Sequence, residues 1–146
     1  MATKAKAAKG TKLQIGDGGG SEVFTTIAEV RSVSGPEESV SEIDVSNMDS
    51  LAEEFIAGLP SAGEVSFEFN FVGSSPQQQQ LRSDMRNGVQ RNFKYILPDH
   101  ATTPTTFSFA AIITALSLNA PDAKSEHRGS CTLRVSGVAT VAYAPA

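Results

Sequence analysis

The sequence predicts a mainly β fold, a β-sandwich or partly open barrel with one flanking α-helix and a long irregular loop. Residues 64–72 alternate polar and apolar side chains, so a strand's period of two places Val65, Phe67, Phe69 and Phe71 on one face. Further long runs rich in β-branched and aromatic residues follow, separated by turn signals. One stretch alone carries convincing helix-capping signals. Together these patterns favour a sheet-filled core.

Length and charge suggest one domain with a basic arm. The 146 residues suffice for a single core, and we assign 1–10 to a flexible N-terminal arm and 11–146 to the domain. All 16 acidic residues follow position 12, and the other basic residues number 12 − 4 = 8, so residues 13–146 carry 8 − 16 = −8. The arm and the two residues after it hold the remaining four basic residues, Lys4, Lys6, Lys9 and Lys12. An acidic body argues against a nucleic-acid-binding domain, and the arm resembles a solvated terminus.

The first elements are predicted to form a hairpin. Residues 11–15 are typical of a short strand, and the glycine-rich run 16–20 of a turn. A second strand is expected over 23–34, ended by Gly35-Pro36. A glycine-rich turn can also bind phosphate, but this one lacks the Lys-Ser/Thr that follows such a loop and leads into β-branched residues.

Residues 37–62 are the least regular part of the sequence. We expect an extended segment over 42–45 and weak helix over 49–57, with 58–60 turning the chain into the next strand. A connection this long is usually functional or disordered, and its apolar content disfavours disorder. Its apolar residues must pack against their own domain, as a flap, or against another subunit, as an arm. The candidates for subunit contact are Ile43, Val45, Leu51, Phe55, Ile56 and Leu59.

One helix and three more strands complete the predicted fold. Ser74 or Ser75 can cap the helix, which should run over 77–86 and end at Asn87-Gly88. Leu81 and Met85 form a thin apolar stripe for docking, whereas Asp84 and Arg86 are expected to be ordinary surface residues. Strands are expected over three further ranges, 91–97, 105–119 and 129–143.

No pattern predicts catalysis, a metal site or a cofactor. His100 and His127 lie in polar, loop-like surroundings without a second ligand at metal-binding spacing. Cys131 alternates with apolar residues and is expected to be a small core residue. The most apolar run, 107–118, is interrupted and too short for a membrane helix of about 20 residues. We therefore expect neither an enzyme nor a membrane-inserted chain.

The order of elements resembles a known family. The segments that show the resemblance are residues 42–45, the run from Phe55 to Phe71, the glutamine-rich helix, residues 93–99 and residues 107–109. The most specific passage is Gly-Leu-Pro-Ser-Ala-Gly-Glu-Val-Ser-Phe-Glu at 58–68, where a loop leads directly into the alternating strand. Over about residues 11–143 the chain looks like the major tail tube protein of long non-contractile-tailed, lambda-like phages.

This resemblance implies a structural virion protein. Such proteins form hexameric rings that stack into the tail tube, assemble in the host bacterial cytoplasm, and let DNA pass without specific binding. Tape-measure, tail-terminator and distal-tail proteins are the implied partners, besides further copies of the chain. The alternatives are a carbohydrate-binding β-sandwich module and a related secretion-tube component. The absence of Trp disfavours a sugar-stacking surface.

The polar face of the alternating strand is a candidate lining of the tube. Glu64 and Glu68 lie opposite the apolar side chains of that strand and must face away from the core. An acidic wall repels phosphate, whereas a basic wall would retain DNA through counterion release. We expect Glu64 and Glu68 to line the lumen.

Overall fold

The chain forms nine β-strands and one α-helix within the part of it that a computed structural model describes, residues 9–120, 123–124 and 126–145. The elements in chain order are β1 Lys12–Gly16, β2 Phe24–Thr26, β3 Val30–Ser34, β4 Ser39–Asp44, β5 Phe55–Ser61, β6 Glu64–Asn70, α1 Pro76–Asn87, β7 Gln90–Ile96, β8 Thr106–Asn119 and β9 Arg128–Ala142. The predicted mainly β class with one flanking helix is confirmed. Most of the predicted arm lies outside the described residues.

Seven strands form one antiparallel sheet in the order β2-β1-β7-β8-β9-β6-β3. Its two ends are joined by the short segment between β2 and β3, because Ile27 N–H donates to the Leu13 carbonyl and Asn70 N–H to the Glu29 carbonyl. Gln78 reinforces this junction by donating to the carbonyls of Ala28 and Asn70. The sheet therefore curls around its apolar face, as a partly open barrel does.

The inner face of the curled sheet holds the core. Phe67, Phe69, Phe93 and Leu133 are fully buried there, and alternate residues of the same strands face outward. Gly129 lies opposite Phe69 in the β6–β9 ladder, where a side chain would collide with the Phe69 ring. Glycine at this position therefore leaves room for the Phe69 ring beside the neighbouring strand.

Helix α1 has the predicted ends. Ser75 caps it by accepting from Gln78 N–H, Pro76 occupies the first turn, and Gly88 ends it in the left-handed conformation at φ 66°. Leu81 of the predicted stripe is fully buried against the inner face of the sheet. The expectation that Asp84 is an ordinary surface residue is wrong, because its side chain is buried and paired with Arg91.

The connection 37–62 is more regular than the sequence indicates. The expected weak helix over 49–57 is wrong, since β4 and β5 pair as an antiparallel hairpin and form a second small sheet. The single strand expected over 23–34 is interrupted at Glu29, whose φ of 56° turns the chain from one end of the large sheet to the other. Strand β6 ends at Asn70, and Phe71 is 41% exposed instead of entering the core.

Candidate assembly surfaces

The β4–β5 hairpin is held together mainly by its own contacts. Ile43 lies opposite Ile56, and Asp44 lies opposite Phe55, in an antiparallel register with a bulge near Val40. At the turn, Ser46 accepts from Glu54 N–H at 2.7 Å. The hairpin is therefore a defined element whose outer strand edges are free to pair.

All six predicted contact residues of the hairpin are exposed. The side chains carrying this apolar surface are Val40, Ile43, Val45, Met48, Leu51, Phe55, Ile56 and Leu59. Met48 and Leu51 at the tip reach the exposure of a free side chain, and Leu59 is 88% exposed. Full burial of a large aliphatic or aromatic side chain contributes roughly 1.5–3 kcal/mol. An intramolecular flap would have buried these residues, and the structure leaves them to solvent.

The hairpin is also strongly acidic. Residues 39–61 contain five carboxylates and no lysine or arginine. Ser46 N–H donates to Asp44, and this hydrogen bond holds the pKa of the Asp44 carboxyl below its ordinary value. The Asp44 carboxylate therefore keeps its charge at neutral pH, and the five acidic residues rim the apolar surface.

The outward face of β6 presents Glu64 and Glu68 as predicted. Both side chains are exposed, and helix α1 packs on the opposite, inner face of the sheet. Their ladder neighbours on this face are largely hydroxyl residues. The band of hydroxyls comprises Ser32, Ser34, Ser66, Ser117, Ser130 and Thr132.

The charge of this face is mixed, in contrast to the acidic wall expected from β6 alone. Arg134 is the ladder partner of Glu64, with Nη1 at 3.9 Å from Oε1, and both side chains are half exposed. Arg128 shares the face and is paired at 2.9 Å with Glu126, which also binds Arg31 at 3.0 Å. Hydrogen bonds from its own backbone N–H and from Arg128 lower the pKa of Glu126. Arg134 therefore has Glu64 as its partner, whereas Arg31 and Arg128 share the single carboxylate of Glu126.

Reactive groups in the described part of the chain form no recognisable centre. No cluster of three or more potential metal ligands occurs among those residues. Cys131 is buried as predicted, and burial raises the pKa of its thiol to about 12. Nδ1 of His100 accepts from Thr103 N–H at 3.0 Å in an exposed turn. None of the helices described there is long and apolar enough to cross a bilayer.

Two features of these surfaces escaped the sequence patterns. Glu126 follows no periodic strand, so its link to Arg31, 95 positions away, has no local signal. The β-branched and aromatic content of 39–45 and 55–57 could have indicated the hairpin. Gly58 and Pro60 argued against a strand at β5, because both residue types are unusual inside strands.

Comparison with protein families identifies one match over most of the chain. Residues 4–129 match the family described as phage tail tube, lambda-like. The comparison with curated protein sequences gives no significant match. The matched range contains the hairpin, both acidic candidates of β6 and helix α1.

Solved structures share the fold at low sequence identity. The tail of an empty gene transfer agent particle, refined with C6 symmetry, superposes with a TM-score of 0.75 at 21% identity, covering 94% of this chain and 99% of that one. The sheath/tube terminator of an extracellular contractile injection system gives 0.74 at 15% identity, with 97% and 99% covered. The SPP1 tail tube gives 0.66 at 13% identity, with 90% and 75% covered.

Proposed function

Because the chain belongs to the lambda-like phage tail tube family, we propose that it polymerises as stacked hexameric rings into a tail tube, the conduit for DNA ejection. Its role is structural, and its place is the tail of the virion. Assembly in the host cytoplasm belongs to the same proposal, as do contacts with tape-measure, terminator and distal-tail proteins.

The exposed hairpin is the observation that supports polymerisation best. A monomer gains nothing by displaying eight large apolar side chains on one hairpin, whereas a subunit interface buries them. The contact residues are Ile43, Val45, Leu51, Phe55, Ile56 and Leu59. Symmetric closure into rings, followed by stacking, buries every hairpin except those at one end of the tube.

The outward face of β6 is proposed to line the lumen. Glu64 and Glu68, with the hydroxyl band beside them, offer DNA few free cations among the described residues, because Arg134 and Arg128 each lie within ion-pair distance of a carboxylate. A surface with few free cations releases few counterions from DNA, so DNA slides past it. Helix α1 covers the other face of the sheet, which leaves this face free to form a wall.

Purified protein tests the proposal by its concentration dependence. Negative-stain electron microscopy and sedimentation velocity should show monomers or rings at low concentration and tubes of constant diameter at high concentration. A chain that stays monomeric at every concentration, with no tubes under the microscope, would contradict a tail tube role.

A further inference from the structure

An open groove lies between helix α1 and the curled sheet. Its volume is about 440 Å³. Its floor is apolar and includes Phe71 and Leu118, which are 41% and 60% exposed. Its rim on the helix side carries Arg82 and Arg86, both exposed. Large apolar side chains facing solvent beside two cations are typical of a surface that binds a partner.

The charge of the groove is complementary to that of the hairpin. Neither Arg82 nor Arg86 has a carboxylate within ion-pair distance in the described part of the chain, and the one acidic side chain of α1, Asp84, is buried against Arg91. The helix surface at the groove is therefore positive. The hairpin tip is the reverse, with exposed Met48 and Leu51 flanked by carboxylates.

The groove and the hairpin lie at opposite ends of β6. Residue Ser61 of the hairpin is three positions before Glu64, where β6 begins, whereas the groove starts at Phe69 and Phe71, where β6 ends. Seven strand residues separate the two ends by about 20 Å. A contact between hairpin and groove of different copies is therefore head to tail, and such a contact repeats along a stack when its rotation does not close a ring.

We propose that the groove receives the tip of the β4–β5 hairpin from a second copy of this chain in the adjacent ring. Met48 and Leu51 of the incoming tip pack on Phe71 and Leu118, while Asp49 and Glu53 face Arg82 and Arg86. This inference rests on the proposed function and adds the receiving site to it. The apolar floor supplies burial, and the charges fix which end of a ring accepts the next.

A charge exchange tests the contact. The variant R82E/R86E should remain folded, with an unchanged melting temperature, because both side chains are exposed. We expect at least roughly a tenfold loss of assembled protein at low salt, since each ring junction repeats the altered contact six times. Combining it with D49R/E53R should restore assembly. Normal tubes from R82E/R86E alone, or no recovery in the combined variant, would overturn the proposal.

Crosslinking gives an independent measurement. Cys131 is buried and provides an unreactive background for introduced cysteines. Leu51→Cys together with Ser83→Cys, treated with a short bismaleimide after assembly, should give a ladder of covalent oligomers, whereas mixed single variants should stop at dimers. The matched control pairs Leu51→Cys with Ser66→Cys on the outward face and should give no ladder.

The two proposals fail differently. Wild-type protein that forms no tubes contradicts the tail tube role itself. Tubes that form normally but show no Leu51→Cys/Ser83→Cys ladder contradict only the receiving groove.

Discussion

Asp84 of helix α1 and Arg91 of β7 form a two-point ion pair, with Arg91 Nε 3.0 Å from Asp84 Oδ2 and Nη2 3.1 Å from Oδ1. Gln80 donates to the same carboxylate, and Arg91 also donates to the Asp17 carbonyl. One buried carboxylate thus fastens the helix to the sheet and, through Arg91, to the turn after β1. The flanking helix is held by this network as well as by the burial of Leu81.

Removing the arginine should destabilise the domain. In Arg91→Leu the Asp84 carboxylate remains buried and keeps Gln80 as its only side-chain partner among the described residues, so we expect the free energy of unfolding to fall by about 3 kcal/mol. Urea denaturation measures the change. Arg82→Leu, an exposed arginine of the same helix, is the control and should change stability by about 0.5 kcal/mol or less. Equal stability of the two variants would contradict a structural role for the pair.

Asp99 should give the domain an acid-sensitive component of stability. The hydroxyl and the N–H of Thr105 both donate to its carboxylate, and these hydrogen bonds lower the pKa of Asp99 below the ordinary 3.8. The folded pKa lies below the unfolded one, so this stability is present above pH 3.8 and is lost as pH falls through the folded value.

The Asp99→Asn variant isolates this contribution. Its melting temperature should lie below that of wild type at neutral pH, and the difference should shrink at the acid end of a pH series. Asp17 and Asp44 are shifted the same way, so the difference between the two proteins is the quantity to follow. A difference that is constant with pH would exclude the Asp99 carboxylate as its source.

Charging the hairpin should prevent assembly without unfolding the chain. Phe55→Asp with Leu59→Asp places carboxylates on side chains that are already exposed, so circular dichroism and melting should match wild type. Tubes should be absent by negative stain, because burial of the new charges at an interface is unfavourable. Phe55→Leu with Leu59→Met keeps the surface apolar and should still polymerise. Normal tubes from the aspartate variant would show that the apolar surface of the hairpin is not needed for assembly.

The basic arm should be dispensable for folding. Lys4, Lys6 and Lys9 lie in a segment with too little apolar surface to bury much area. Deleting residues 2–9 should leave the melting temperature within about 2 °C of wild type. A larger fall would indicate that the arm is docked on the domain.

Strand periodicity and helix caps carried most of the fold prediction. The alternation of β6 correctly placed Val65, Phe67 and Phe69 inside, and Ser75 and Gly88 set the ends of α1, because these signals act within a few residues. Phe71 followed the same alternation but left the core, because the ladder between β6 and β9 ends at Asn70.

Long-range pairing accounts for what the sequence left unpredicted. Asp84 looked like a surface residue because no local sequence pattern indicates its pairing with Arg91. The segment 23–34 looked like one strand because the sequence does not show that its two ends belong to opposite ends of the sheet. The candidate contact residues of the hairpin were selected from the apolar composition of the segment alone. The placement of Ile43 opposite Ile56 depends on the strand register, which an irregular segment with Gly58 and Pro60 does not reveal.

Reversing the charge of β6 should make assembled tubes retain DNA. In Glu64→Lys with Glu68→Lys, the first change also deprives Arg134 of its partner, so the face gains two lysines and one unpaired arginine. Folding should be preserved because both positions are exposed. Six copies per ring would make a proposed lumen strongly cationic, so tubes should retain DNA at low salt and release it as salt rises, and ejection should slow.

The neutral variant separates charge from side-chain identity. Glu64→Gln with Glu68→Gln frees Arg134 without adding lysines, so its DNA retention should fall between that of wild type and that of the lysine variant. Retention is measured by pelleting tubes with labelled DNA across a salt series, beside the unassembled monomer of each variant. If lysine tubes bind no more DNA than wild-type tubes at low salt, these carboxylates lie outside the lumen and another face of the sheet forms its wall.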